Sequence, residues 1–268
     1  MEKNFDLSVE LCGVKLDNPV IPASGTFGFG YEFAELYDIN ILGTFSFKGT
    51  TKDPRFGNPT PRIAECSSGM INAVGLQNPG VEKVIAEELP KLAKCFSKPV
   101  MPNVSGFAVA DYAYTCEKLD KCEEVGWLEV NVSCPNVHGG GMSFGTSPEA
   151  AAEVTKAVKA VTTKPVYIKL SPNVTDIVTM AKAAQDAGAD VLSLINTLTG
   201  TKIDSTICTT GGQAKNPLWL QYKSQIVGAA FSITACADAE LVGNAVLAYC
   251  GLGKFKSIEE GARTLVQM

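Results

Sequence analysis

The residues best able to do chemistry gather in one stretch, Glu129 to Gly141, which reads E-V-N-V-S-C-P-N-V-H-G-G-G. Val130 and Val132 alternate with polar neighbours, so the run reads as a strand that stops at Pro135. Cys134 stands at its end, followed by His138, the chain's one histidine, and the loop Gly139 to Gly141. A thiol placed there can act as a base or a nucleophile once neighbouring cations favour the thiolate. The plainer alternative is a buried structural cysteine, a common fate for a free thiol. Other polar residues fall at the ends of apolar runs in the same way: Ser24, Lys48, Asn103, Asn131, Lys169, Asn196 and Thr197. Lysine is costly to bury without an anion, so Lys48 and Lys169 either protrude into water or line an anion-binding mouth. Two lysines, three asparagines and a cysteine at such ends favour the mouth.

The elements that must hold these groups follow a repeating pattern. Strands are predicted at 18–28, 41–47, 98–104, 127–134, 165–170 and 189–196. Helices are predicted at 31–37, 81–96, 111–126, 150–161 and 177–187. Ser147-Pro148-Glu149 and Thr175-Asp176 supply helix-start residues. A long loop, 54–79, is rich in Pro, Gly and Asn, and loops of that length usually carry function. Strand then helix, six times over, with nearly continuous apolar strands, indicates a buried parallel sheet of the α/β class. In a doubly wound sheet the polar strand ends would spread along a crevice, whereas in a barrel they converge on one mouth. The reading adopted is a (β/α)8 TIM-type barrel with six strand–helix units in evidence.

Composition narrows the function. The chain has 268 residues, 46% hydrophobic and 19% charged, which is globular. A net charge of -5 argues against nucleic-acid binding. There is no apolar run long enough for a membrane span, and the N-terminus lacks the apolar region of a signal peptide. Nine scattered cysteines with no C-x-x-C pair argue against a metal site or a redox dithiol and suggest a reducing cytoplasm. The expectation is a cytoplasmic enzyme acting on a small molecule.

Residues 1–200 resemble the class 1 dihydroorotate dehydrogenases, specifically the catalytic subunit of the NAD-linked type B branch. The matching motifs are A-S-G-T from Ala23, K-G-T-T from Lys48, N-A-V-G-L-Q-N-P-G from Asn72, N-V-S-C-P-N from Asn131, K-L-S-P-N-V-T-D from Lys169 and I-N-T from Ile195. The resemblance implies FMN-dependent oxidation of dihydroorotate to orotate in pyrimidine synthesis. Cys134 would take the C5 proton while a hydride leaves C6 for the flavin. Ser24, Lys48, Gly49, Asn103, Asn131, Lys169 and Ile195 would contact FMN, with Lys169 supporting negative charge on the reduced ring. Lys48, Asn72, Ala73, Val74, Gly75, Leu76, Asn131, Asn196 and Thr197 would hold the substrate, and Gly139 to Gly141 would belong to a lid. A homodimer and a separate iron–sulfur/FAD electron-transfer subunit are the implied partners.

Beyond residue 200 this resemblance stops. Residues 201–268 read as a mostly helical segment with at most one short strand, near 230–234. Within it, T-G-G-Q-A-K-N-P-L-W-L-Q from Thr210 and D-A-E-L-V-G-N-A from Asp238 resemble the C-terminal end of FGGY-family sugar kinases. Kinase activity is not expected, because the rest of that fold is absent. The expectation is an incomplete barrel without the usual FMN phosphate loops, binding FMN weakly unless Gly211-Gly212 replace them.

Overall fold

Apolar strands alternating with helices build the larger part of the described chain into a parallel sheet with one face packed on helices. The computed structural model describes residues 6–66, 69–133 and 144–200, with the backbone of 207–209 and 231–233. In chain order the elements are β1 (Val9–Leu11), β2 (Val14–Leu16), α1 (Tyr31–Ala34), β3 (Ser46–Thr50), β4 (Ile63–Cys66), β5 (Gly69–Asn72), α2 (Val81–Lys83), a π turn (Val84–Glu88), α3 (Leu89–Leu92), β6 (Met101–Val104), α4 (Val109–Asp120), β7 (Leu128–Asn131), α5 (Pro148–Lys159), β8 (Val166–Lys169), α6 (Ile177–Asp186), β9 (Val191–Ser193), β10 (Ile207–Thr209) and β11 (Phe231–Ile233). They divide into two units, Met1–Arg62 with Ala73–Thr199 and Ile63–Asn72 with Gly200–Met268.

The larger unit holds a five-stranded sheet in the order β3-β6-β7-β8-β9, every pair parallel. Sequential parallel neighbours joined by helices are consistent with a TIM-type fold. The helix-facing side is apolar: Phe47, Val104, Leu128, Val130, Val166 and Ile168 are fully buried against α4, α5 and α6. α5 begins as its sequence foretells. Ser147 Oγ accepts a hydrogen bond from Ala150 N, Pro148 opens the helix, and Ala151, Val154 and Val158 fall on its buried face. Asp176 caps α6 by accepting from Val178 N at 2.9 Å.

The other face of the sheet is built in layers. At its N-terminal end Met101, Trp127 and Tyr167 close on Leu16 of the β1–β2 hairpin. Trp127 is fully buried, and its indole N–H donates to Leu11 O at 3.1 Å. Further along the strands this face becomes polar.

Several boundaries differ from the sequence reading. Residues 18–28 form no strand; Val20 O and Pro22 O instead accept from Gly43 N and Ser46 N along the edge of β3. Pro19 and Pro22 have no N–H to return, which accounts for the unfinished ladder. The parallel sheet therefore has five described strands in place of six. The strand expected at 41–47 lies at Ser46–Thr50, after a 3-10 turn at Ile39–Ile41. The long loop contains the β4–β5 hairpin. The helix expected at 31–37 is only Tyr31–Ala34, and the one expected at 111–126 is Val109–Asp120. In the smaller unit the short strand expected near 230–234 is β11, and it pairs in parallel with β10, which the sequence did not reveal. Among the described residues no helix is long and apolar enough to cross a membrane.

Truncating Trp127 to Ala should cost about 3–5 kcal/mol, since it opens a large cavity and orphans Leu11 O. Trp127→Phe should recover most of that. Urea denaturation checks both, and a loss below about 1 kcal/mol for the Ala variant would contradict the layered packing.

Candidate active site

The polar layer is centred on Glu129, in the middle of β7 and only 4% exposed. Its Oε2 accepts from Ser46 Oγ on β3 and from Asn103 Nδ2 on β6, each at 2.7 Å. Its Oε1 accepts from Ser193 Oγ on β9 at 2.7 Å. The fifth strand, β8, supplies Lys169, whose Nζ lies 3.6 Å from Oε2 and donates to Ser24 Oγ at 3.1 Å. Burial, the strongest influence, pushes the Glu129 carboxyl up. Lys169 and the three donors together overcome it and hold the group below the ordinary glutamate value of 4.5.

One step nearer the C-terminal ends of the strands, Asn131 Oδ1 accepts from Asn196 Nδ2 at 2.7 Å and from Ser133 N at 3.0 Å. Ser133 Oγ donates to Lys169 O at 3.1 Å. The backbone of Asn196 is tied to Leu170 O, whereas Ile195 is 48% exposed and Thr197 is exposed too.

Lys48 and Gly49 enter through an irregularity in β3. Phe47 pairs with Pro102 and Thr50 with Val104, so three steps on β3 match two on β6. The extra residue puts Lys48 and Gly49 on the polar face together, opposite Asn103. A Cβ on Gly49 would stand 3.1 Å from Asn103 Oδ1 and 3.3 Å from Leu76 Cδ2. The backbone of Lys48 donates to Gly28 O and accepts from Thr50 Oγ1, but among the described residues its ammonium makes no hydrogen bond or ion pair. Burial, and after it the positive charge of Arg62, push its ammonium below the usual lysine range.

The loop over this end of β3 is tied down by amide side chains. Asn78 Oδ1 accepts from Thr51 N (3.1 Å) and Gly80 N (2.9 Å), and its Nδ2 donates to Thr51 Oγ1 and Leu76 O, both at 2.8 Å. Asn58 N donates to Val74 O and its Nδ2 to Ala73 O. Arg62 bonds Phe56 O, Asn58 O and the Gln77 side chain. Gly75 and Leu76 hold φ of 75° and 58°; a Cβ on Gly75 would strike the Asn58 side chain at 2.7 Å. A leucine in the left-handed region is uncommon, and the bond from Asn78 to its carbonyl helps to keep it there.

Ser24, Gly49, Asn103, Asn131, Lys169 and Asn196, expected from the sequence, thus share one polar face with Lys48, and Leu76 packs at Gly49. Ala73, Val74 and Gly75 lie in the loop tied to Asn58, while Asn72 ends β5 in the smaller unit. Cys134, the loop Gly139 to Gly141 and the Gly211-Gly212 turn lie outside the described residues. Glu129, Ser46 and Ser193 were not expected. Glu129 was readable in principle, because a carboxylate inside the apolar run W-L-E-V needs a partner by the same reasoning that singled out Lys169. Among the described residues no cluster of His, Cys, Asp or Glu could hold a metal ion.

A family model described as dihydroorotate dehydrogenase matches residues 6–217. The chain belongs to the dihydroorotate dehydrogenase family. It is 57% identical over 198 residues to a protein of Bacillus cytotoxicus named "Dihydroorotate dehydrogenase B (NAD(+)), catalytic subunit", covering 74% of this chain and 64% of that one. Equally named relatives in Geobacillus kaustophilus (57% over 198 residues, 74% and 63% of the two chains) and Latilactobacillus sakei (56% over 200 residues, 74% and 65%) match similarly. The match spans just under two thirds of these relatives' own length. The family match runs past residue 200, into the segment read from the sequence as a second domain, and none of these matches supports its resemblance to sugar kinases.

A carboxyl held below its ordinary value stabilises the fold above that value, and the contribution drains away as pH falls through the native one. Stability should therefore drop below about pH 4.5, and Glu129→Gln should flatten that acid limb. Urea midpoints at successive pH values check this; equal acid limbs would place the relevant carboxylate elsewhere.

Proposed function

We propose that the chain oxidises dihydroorotate to orotate in pyrimidine synthesis with FMN as its cofactor. The observation that carries this reading is a half-buried lysine, Lys48, with no anionic partner among the described residues, on one polar face with Asn131, Asn196 and an ion-paired Lys169, in a member of this family. A carboxylate substrate would supply the missing counter-charge, and the two amides can both donate to and accept from a pyrimidinedione. No hydrogen bond among the described residues uses Asn131 Nδ2, which leaves it for the substrate.

The residues present suit a flavin. Gly49 leaves a notch where any side chain would press on Asn103 and Leu76, as close approach of a flat ring demands. Ser105 Oγ, buried near the notch, has no hydrogen-bond partner among the described residues, a donor in need of an acceptor. FMN, when bound, supplies a two-electron acceptor for hydride. The chain's own tasks are to orient the substrate through Lys48, Asn131 and Asn196, and to take its C5 proton, which falls to Cys134. Ser24, Asn103, Lys169 and Ile195 would flank the ring, and Asn72, Ala73, Val74, Gly75, Leu76 and Thr197 would complete the substrate's surroundings. The name of the relatives, a catalytic subunit linked to NAD, supports a separate electron-transfer subunit, with iron–sulfur and FAD centres on the family resemblance, as partner. We assign the protein to the cytoplasm and expect a homodimer on the same family resemblance.

Absorbance of the purified chain between about 300 and 550 nm should show flavin, and anaerobic dihydroorotate should bleach it. Cys134→Ala should keep the colour and lose the bleaching. Lys48→Met should weaken orotate binding by about tenfold to a hundredfold, as expected for a lost charged hydrogen bond. A colourless chain that cannot be reconstituted with FMN would overturn the reading and leave at most an anion-binding barrel.

A further inference from the structure

Glu129 lies beneath the groups assigned to the flavin, and its contacts determine how two of them point. A carboxylate only accepts hydrogen bonds, so Asn103 must turn its NH2 towards Oε2. Its Oδ1 then faces the Gly49 notch, 3.1 Å from the position a Cβ would take there. The same oxygen of Glu129 holds one side of the Lys169 ammonium at 3.6 Å, and the ammonium's remaining reach goes to Ser24 Oγ. Ser46 on β3 and Ser193 on β9 fix the carboxylate from opposite sides of the sheet, one on each oxygen. Side chains of Glu129 and Lys169 are 5% and 7% exposed, so water has little part in setting this geometry.

We propose that Glu129 is a positioning residue for the flavin, holding the Lys169 ammonium and the Asn103 carbonyl oxygen towards the ring from behind. The proposal rests on the reading above that Lys169 and Asn103 flank FMN. Glutamine in place of Glu129 keeps the shape, removes the counter-charge of Lys169 and offers an NH2 that lets the Asn103 amide turn over. The reduced flavin, which carries the extra negative charge, should then lose more affinity than the oxidised one.

Two measurements on the full chain decide the matter. The first needs no flavin. In 15N-labelled protein at neutral pH, lysine ammonium groups give signals only where exchange with water is slow, and Lys169→Met identifies the signal of Lys169. That signal should be present in the parent chain and in Ser193→Ala, and absent in Glu129→Gln; survival in Glu129→Gln would overturn the proposal. The second is the midpoint potential of FMN bound to the parent and to Glu129→Gln, with affinities for both redox states. The proposal expects a fall of about 30 mV or more, which is a tenfold greater loss for the reduced form. Equal losses for both states would make Glu129 merely structural. A rise would make it a bare negative charge whose removal favours electrons, and either result sinks the positioning role. If Glu129→Gln does not fold, Ser46→Ala, which removes one anchor of Oε2, should give the same sign with a smaller change. A parent chain that takes up no FMN would refute the function proposed above, while the ammonium signal would still decide what Glu129 does for Lys169.

Discussion

A buried carboxylate imposes its own terms on the fold around it. An ionised glutamate taken out of water is costly unless several donors and a cation surround it. Glu129 meets that demand with one partner from each of the other four strands in the sheet. The demand therefore acts on strand register: a slip of one residue in β6 or β9 would carry Asn103 or Ser193 to the helix face and leave a charged group unsatisfied. An apolar layer tolerates small slips and repacking, whereas a charge with four directional partners does not. The layers below, from Met101, Trp127 and Tyr167 to Leu16, are held to the same register because they sit on the same strands.

The two lysines of this face show opposite electrostatic solutions. Lys169 is matched within the fold, and its partner pair is nearly neutral seen from a distance. Among the described residues the Lys48 ammonium has no anionic partner, and Arg62 adds to its cost. That arrangement is poor for stability, and on the proposed reading an incoming anion would relieve it. Selectivity would then follow from which anion also satisfies Asn131 and Asn196. Within the larger unit, residues 73–80 are tied to 51–58 through the backbone-directed amides Asn58 and Asn78.

Much of this was legible in the sequence because two periodicities are strong. Near-continuous apolar strands, spaced by capped helices such as α5 and α6, point to a parallel α/β sheet, and the polar residues at strand ends mark the functional end. What escaped has physical reasons. Pro19 and Pro22 hide an extended segment that lies along β3 without completing a ladder. The hairpin β1–β2 is only three residues to a strand, too short for alternation to register. Glu129 escaped because alternation treats a polar residue between two apolar ones, here Leu128 and Val130, as a solvent-facing one, when the second face of the sheet is itself buried around it. Lys169 was singled out as needing an anion; which residue supplies it depends on pairing across strands, and that is long-range information. The extra residue in β3 is of the same kind.

That irregularity leaves the hydrogen bonds on either side of it in place. Met101 N donates to Phe45 O at 3.1 Å before it, and pairing resumes at Thr50, whose carbonyl accepts from Ser105 N at 2.9 Å. Pro102, opposite Phe47, takes no bond from this ladder, because successive residues of a strand bond to opposite neighbours and Met101 and Ser105 are the ones that face β3. In strict alternation Lys48 would share the polar face with Ser46, while Gly49 would turn to the helices and pack there. With the extra residue, two consecutive positions face inward, and the second must be glycine because Asn103 and Leu76 already fill the space. The extra residue thus sets a lysine and a notch side by side, which on the proposed reading is a charge for an anion next to room for a flat ring.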